Sequence, residues 1–273
     1  MRYSLVLFIL LPTLLSAQGG TTKRKLVWAD EFNYLGLPDS KKWSYEEGYV
    51  RNKEPQYYTK DRLENCRVEN GMLVIEARKE SYPVQNSGSA NSQPNVGLVA
   101  AYTSASLLTL GKTFWKYGRF EMRAKVPKGK GSWPAFWMKG ANNRTVKWPF
   151  CGEIDIMEFA GKDSTQVYGT VHYADSTGKY RYEGKKPSVG APYEDFHIYA
   201  LEWYPDRMEF YYDDLKYFVF DITKAQNGSE NIFQKEFYLM LNLALGREGT
   251  MAGPLDEHIL PLTYQIDYVR VYQ

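Results

Sequence analysis

The 273-residue chain is poor in metal ligands: it has two cysteines, three histidines and no cluster of the two. A catalytic zinc site is therefore not expected. It also lacks any block of like charge, and a net charge of +2 argues against nucleic acid as a partner. No stretch has the length of a membrane span, since the apolar run from Leu5 to Leu15 is too short to cross a bilayer. Long helical periodicity, internal repeats and domain boundaries are missing as well. Helical bundles and solenoids are thereby set aside.

The two cysteines, Cys66 and Cys151, lie so far apart that spacing alone leaves a disulfide and a pair of buried thiols both open. Met1-Arg2, the apolar run and then Ser16-Ala17-Gln18 have the order of a signal peptide, with cleavage expected after Ala17. A short segment 18–25 and a single domain 26–273 would remain. No cysteine stands near that cleavage point for a lipid anchor. The expectation is a secreted or periplasmic monomer without a membrane span.

Aromatic residues are abundant instead, at 16% of the chain with 23 Tyr. They suit β-sheets and surfaces that stack on flat ligands such as sugar rings. Strands are predicted at Leu26–Phe32, Cys66–Val68, Met72–Arg78, Val99–Leu110, Arg119–Val126, Val167–Ala174, Phe196–Tyr204, Arg207–Tyr212, Lys216–Phe220, Phe237–Leu245 and Tyr264–Tyr272. Asn70-Gly71 marks a tight hairpin. Arg119–Val126 alternates apolar and charged residues, as a half-buried antiparallel strand does. Phe237–Leu245 is apolar except for Asn242 and reads as a central strand. Lys79–Gly97 and Ala174–Asp195 read as long polar loops. Pro134, in Ser132–Met138, argues against a central ladder position there. Many short strands with turns between them predict an all-β protein, a sandwich or jelly roll.

The chemistry concentrates in Gly152-Glu153-Ile154-Asp155-Ile156-Met157-Glu158-Phe159. On a strand Glu153 and Asp155 share one face and Ile154 and Ile156 the other. Plain alternation would send Glu158 into the core, where a lone carboxylate is costly. One extra residue at Ile156-Met157, a β-bulge, returns it to the face of the other acids. Two carboxylates on one face are what a retaining glycosidase needs, about 5–5.5 Å apart: one attacks the anomeric carbon, the other protonates the departing oxygen. Nearby, Trp133 and Trp137 could stack on sugars or fill core, and the polar, aromatic Trp43–Thr59 could be ligand surface or an ordinary tyrosine-rich loop. His172 gains interest only from its nearness to the acidic strand.

These residues resemble glycoside hydrolase family 16, in its bacterial laminarinase-like branch, where Met157 is the extra residue that separates this branch from lichenases. Asp30-Glu31-Phe32, Asn52-Lys53-Glu54-Pro55-Gln56-Tyr57-Tyr58, Trp133-Pro134-Ala135-Phe136-Trp137-Met138, Gly169-Thr170-Val171-His172-Tyr173 and Ile266-Asp267-Tyr268-Val269-Arg270-Val271-Tyr272 extend the likeness from about Leu26 to Gln273. The resemblance implies a β-jelly roll of two packed antiparallel sheets with a concave cleft for a β-glucan chain. It implies Glu153 as nucleophile, Asp155 as its helper and Glu158 as acid/base. Asn52, Glu54, Trp133, Trp137, Trp148 and His172 would line the sugar subsites. No cofactor is expected for catalysis, but Glu31, the Gly71 backbone and Asp267 correspond to a structural calcium site in many relatives. One departure stands out: Arg247 and Met251 occupy places where relatives have Gly and Trp, so a stacking subsite is expected to be lost or altered.

Three functions compete on the sequence: an endo-β-glucanase cutting 1,3 or mixed 1,3/1,4 linkages, a relative acting on a galactan or as a transglycosylase, and a jelly-roll lectin. The intact pair Glu153 and Glu158 disfavours the lectin. The weakly charged set of cleft candidates favours a neutral glucan over a sulfated galactan, which would call for an Arg/Lys cluster.

Overall fold

The computed structural model describes residues 24–84 and 98–273; the expected signal peptide and most of the Lys79–Gly97 segment lie outside them. Two large sheets pack face to face. One has ten strands, in the order Leu215–Asp221, Arg207–Tyr212, His197–Trp203, Gly118–Lys125, Leu262–Tyr272, Met72–Pro83, Val99–Ser104 and Tyr57–Tyr58, with Leu26–Asp30 and Cys66–Glu69 paired beside this path. The other has seven, in the order Tyr180–Lys185, Val167–Ala174, Glu153–Phe159, Ser132–Gly140, Phe237–Leu245, Ser106–Leu108 and Ser44–Tyr45. Pairing is antiparallel in both, except for the short parallel pair of Tyr57–Tyr58 with Val99–Ser104. Helix is confined to three 3-10 turns among the described residues, and none is long and apolar enough to cross a membrane.

The alternation of Phe120, Met122 and Ala124 buries them between the sheets, where they meet Ile154, Ile156, Met157, Phe159, Leu239, Leu241 and Leu243 of the seven-stranded sheet. That sheet is covered on its other face too. A second cluster of Leu108, Ala135, Trp137, Tyr238 and Met240 floors the cleft. This explains why every residue of Phe237–Leu245 is buried, Asn242 included.

The hairpin turn forms as predicted, with Asn70 and Gly71 both left-handed at φ 52° and 74°. Four readings need correction. Val99–Leu110 is not one strand: the chain leaves the ten-stranded sheet after Ser104 and enters the seven-stranded sheet at Ser106, with buried Ala105 at the crossing. Met72–Pro83 runs on through Lys79–Pro83, where the polar sequence predicts loop. Tyr180–Lys185, also read as loop, is the edge strand of the cleft sheet; nearly all of it is exposed, so it leaves no apolar period. Pro134 does sit in a central strand. It faces Leu243, whose N–H and C=O turn the other way, to Ala105 and Ser104. The Pro134 nitrogen therefore points toward the acidic strand, just past the last registered pair there, Glu158 with Ala135, and supplies no ladder donor at that place.

Tyr57 and Tyr58, for which the sequence leaves ligand surface and a tyrosine-rich surface loop both open, are neither: they form a buried strand. Cys66 and Cys151 are both buried and unpaired.

Candidate active site

The acidic strand Glu153–Phe159 is preceded by Gly152, whose φ of 75° favours glycine. A Cβ there would come within 2.8 Å of Phe237 Cζ. Along the strand, Glu153 faces His172, Asp155 faces Thr170, and the next registered pair is Glu158 with Tyr168. Two residues, Ile156 and Met157, thus stand opposite one, Gly169. The same shift appears against Phe136 on the other neighbour. Both bulge residues are fully buried in the core, which is how three acids come to share the opposite face. Gly169 is needed opposite the bulge: a Cβ there would collide with the Tyr217 hydroxyl and lie 3.0 Å from Phe210 Cδ1.

Glu153, Asp155 and Glu158 line a cavity of about 260 Å³ together with Asn52, Glu54, Trp133, Trp137 and Trp148. Trp133 donates its indole N–H to Glu158 Oε1 at 3.0 Å. Trp137 is both floor and core: its ring is buried and its N–H bonds Asn242 Oδ1 at 2.7 Å. Trp148 is exposed, 4.8 Å from the ring of Tyr180. Glu54 is buried and accepts from Asn52 Nδ2 at 3.0 Å and Gln56 Nε2 at 2.7 Å.

His172 stands beside the acids, with Nε2 3.0 Å from Asp155 Oδ2 and 3.9 Å from Glu153 Oε1. Its Nδ1 lies 2.8 Å from the Tyr180 hydroxyl. Asp155 Oδ2 is buried without a hydrogen-bond partner of good geometry in the chain, despite this close approach. Glu153, Asp155 and His172 offer atoms within 4.8 Å of one another, as metal ligands would. Two of these three belong to the acid set, however, and an ion there would occupy the carboxylate that the chemistry needs free.

Burial, with Asp155 adding like-charge repulsion, pushes the Glu153 carboxyl up to about 7. Burial raises Glu158 as well, again with Asp155 adding to it and the Trp133 N–H opposing it. Asp155 is raised by burial. Near neutral pH the three carboxyls therefore hold protons between them, which lets one serve as acid while another is charged.

Three contributors were missed. Asn242 joins Trp137 to the cleft wall and donates from Nδ2 to the Tyr58 hydroxyl at 3.0 Å; its signal was the lone polar residue in an apolar strand. Arg51 lines the cavity, paired with Glu46, with its guanidinium 5.0 Å from the Trp137 ring centre. Tyr180 came with the unrecognised edge strand.

Of the candidate calcium ligands, Asp267 lies on the ten-stranded sheet, Glu31 just past Leu26–Asp30 and Gly71 in the turn before Met72–Pro83. Asp30 pairs with Val269 and Leu73 with Ile266, so Glu31 and Gly71 flank Asp267 where the neighbour of the last strand changes. The donor types suit calcium. Each carboxylate is also held by an arginine: Arg270 donates twice to Glu31 at 2.8 Å, and Arg123 to Asp267 at 2.7 Å.

Residues 53–270 match the glycosyl hydrolases family 16 profile. The chain belongs to this family. It is 40% identical over 260 residues to a beta-glucanase of Rhodothermus marinus, covering 91% of this chain and 85% of that one. The solved laminarinase of Rhodothermus marinus superposes with a TM-score of 0.79 at 41% identity, covering 92% and 98%. A structure from work on endo-acting O-glycanases of the human gut microbiota that initiate mucin breakdown gives 0.83 at 35% identity, covering 93% and 92%. The family and the all-β sandwich expected from the sequence both hold, and the chain is a glycoside hydrolase.

Proposed function

We propose that this protein is an exported, monomeric endo-β-glucanase that cuts internal β-1,3 or mixed β-1,3/1,4 linkages with retention. The observation that carries the reading is the bulge at Ile156-Met157, which sets Glu153 and Glu158 on one face of one strand in an aromatic-lined cleft. The glucanase and laminarinase relatives support glucan as the substrate. Glu153 attacks the anomeric carbon as the glycosidic bond breaks, and Glu158 gives its proton to the leaving oxygen. Glu158 then takes a proton from water, which displaces Glu153 and restores both groups. Asp155, between them, sustains the raised proton affinity of both. Trp133 and Trp137 offer rings for stacking, and Asn52, Glu54 and His172 offer polar atoms for sugar hydroxyls. A calcium ion at Glu31, Asp267 and the Gly71 backbone belongs to the proposal as a structural element that would compete with Arg270 and Arg123.

Reducing-end release from laminarin, barley β-glucan, lichenan and agarose tests the substrate, and proton NMR of the first product tests retention. An inverted product would refute the double displacement. A galactan is the second reading. It is supported by a keratan-sulfate endo-1,4-beta-galactosidase of Sphingobacterium multivorum, 32% identical to this chain over 263 residues; cleavage of agarose alone would select it.

A further inference from the structure

A second cavity of about 550 Å³ adjoins the first and shares Asn52 and Trp133 with it. The rest of its lining is Lys53, Arg247, Gly249, Thr250 and Met251. The two cavities differ in charge. The first carries Glu54, Glu153, Asp155 and Glu158 against Arg51, itself paired with Glu46, and Lys139. The second has two cations and no acid. It lies at the Trp133 end of the cleft, in the loop where Arg247 and Met251 stand.

Arg247 is fixed here rather than merely exposed. Its Nε donates to the Asn52 carbonyl at 3.2 Å and its Nη1 to the Glu248 carbonyl at 3.1 Å. A guanidinium has five N–H donors, so this anchoring leaves others for a ligand. Among the described residues every arginine except Arg144 and Arg247 is paired with a carboxylate. Lys53 likewise has no acidic partner among them. It follows Asn52 with both residues left-handed, at φ 54° and 51°, a conformation uncommon outside glycine. The anchored Arg247 holds this turn at the cleft rim.

We infer that the second cavity binds an anionic substituent, a sulfate ester or a carboxylate, on a sugar of the glycan in the cleft, through Arg247 and Lys53. An arginine with N–H donors left over suits a planar or tetrahedral oxyanion, and the neighbouring lysine adds charge without a fixed direction. Trp133 supplies a face for the sugar that carries the anion. The inference rests on the glycan-cleft reading above and narrows its substrate class.

The test uses laminari-oligosaccharides in three forms, neutral, sulfated and carboxymethylated. Binding to the full chain carrying Glu153→Gln is measured by calorimetry, and turnover is measured with the wild type. The anionic forms should bind at least about tenfold tighter than the neutral form at low salt, as an unpaired cation pair allows. Arg247→Gln or Lys53→Gln should each cut that ratio about fivefold or more, and 0.5 M salt should nearly remove it by screening. Preference between sulfate and carboxymethyl identifies the source of the anion. Equal binding of neutral and anionic forms, or an advantage that survives both substitutions, overturns the inference. If the anionic advantage holds but the wild type cuts no glucan, the glucanase reading fails and this one stands.

Discussion

Replacing Trp133 with Phe keeps a ring in the cleft and removes one proton. The indole N–H donates to Glu158 Oε1 at 3.0 Å and, being donor only, favours the carboxylate over the acid. Glu158 is raised by burial first and by Asp155 next, and Trp133 is the leading group that opposes the rise. Losing it should lift the Glu158 proton affinity further. A hydrogen bond to a charged group contributes about 1.5–3 kcal/mol, and about 1.36 kcal/mol corresponds to one pH unit. The cleft is open to water, which can replace part of the bond. A rise of about one pH unit is therefore expected. The acid/base must be protonated for the first step, so the change should appear on the alkaline limb of the kcat/KM profile, displaced to higher pH. The acid limb, set by the nucleophile, should move less. An alkaline limb that stays in place or moves to lower pH would refute the assignment of Glu158 as the acid.

Glu153→Gln should lower kcat by at least about a hundredfold with an unchanged melting temperature, because the nucleophilic charge is lost in an isosteric change; residual activity above that level in a purified sample would exclude Glu153 as nucleophile. Inserting an alanine after Met157 should turn Glu158 toward the core, abolish activity and cost several kcal/mol, whereas full activity and melting temperature would remove the bulge argument. Gly169→Ala should cost about 1–3 kcal/mol through overpacking against Tyr217 and Phe210, read as a drop in Tm with the kcat/KM of the folded enzyme reduced less than for Glu153→Gln. Added calcium should raise Tm and EGTA lower it if Glu31 and Asp267 exchange their arginines for the ion; an identical Tm in both would dismiss the site.

The sequence by itself determined the chemistry and the register of the acidic strand. The β-branched alternation of Ile154 and Ile156 and the cost of burying Glu158 require a bulge, because side-chain parity on a strand is a local rule. The Asn70-Gly71 hairpin and the apolar Phe237–Leu245 strand were legible for the same reason: their signals are short-range. Other features depended on neighbours far away in the chain. Pro134 fits a central strand on its Leu243 side because the N–H and C=O of Leu243 bond Ala105 and Ser104 instead. The Val99–Leu110 run splits because two different sheets claim its halves. Trp137 could be core or cleft by composition, and it is both because Phe237–Leu245 brings Asn242 under it. Lys53 and Arg247, 194 positions apart in the sequence, form a cationic cavity only once Arg247 reaches the Asn52 carbonyl. Local periodicity carries no information on which loops meet; packing of the sheets decides that.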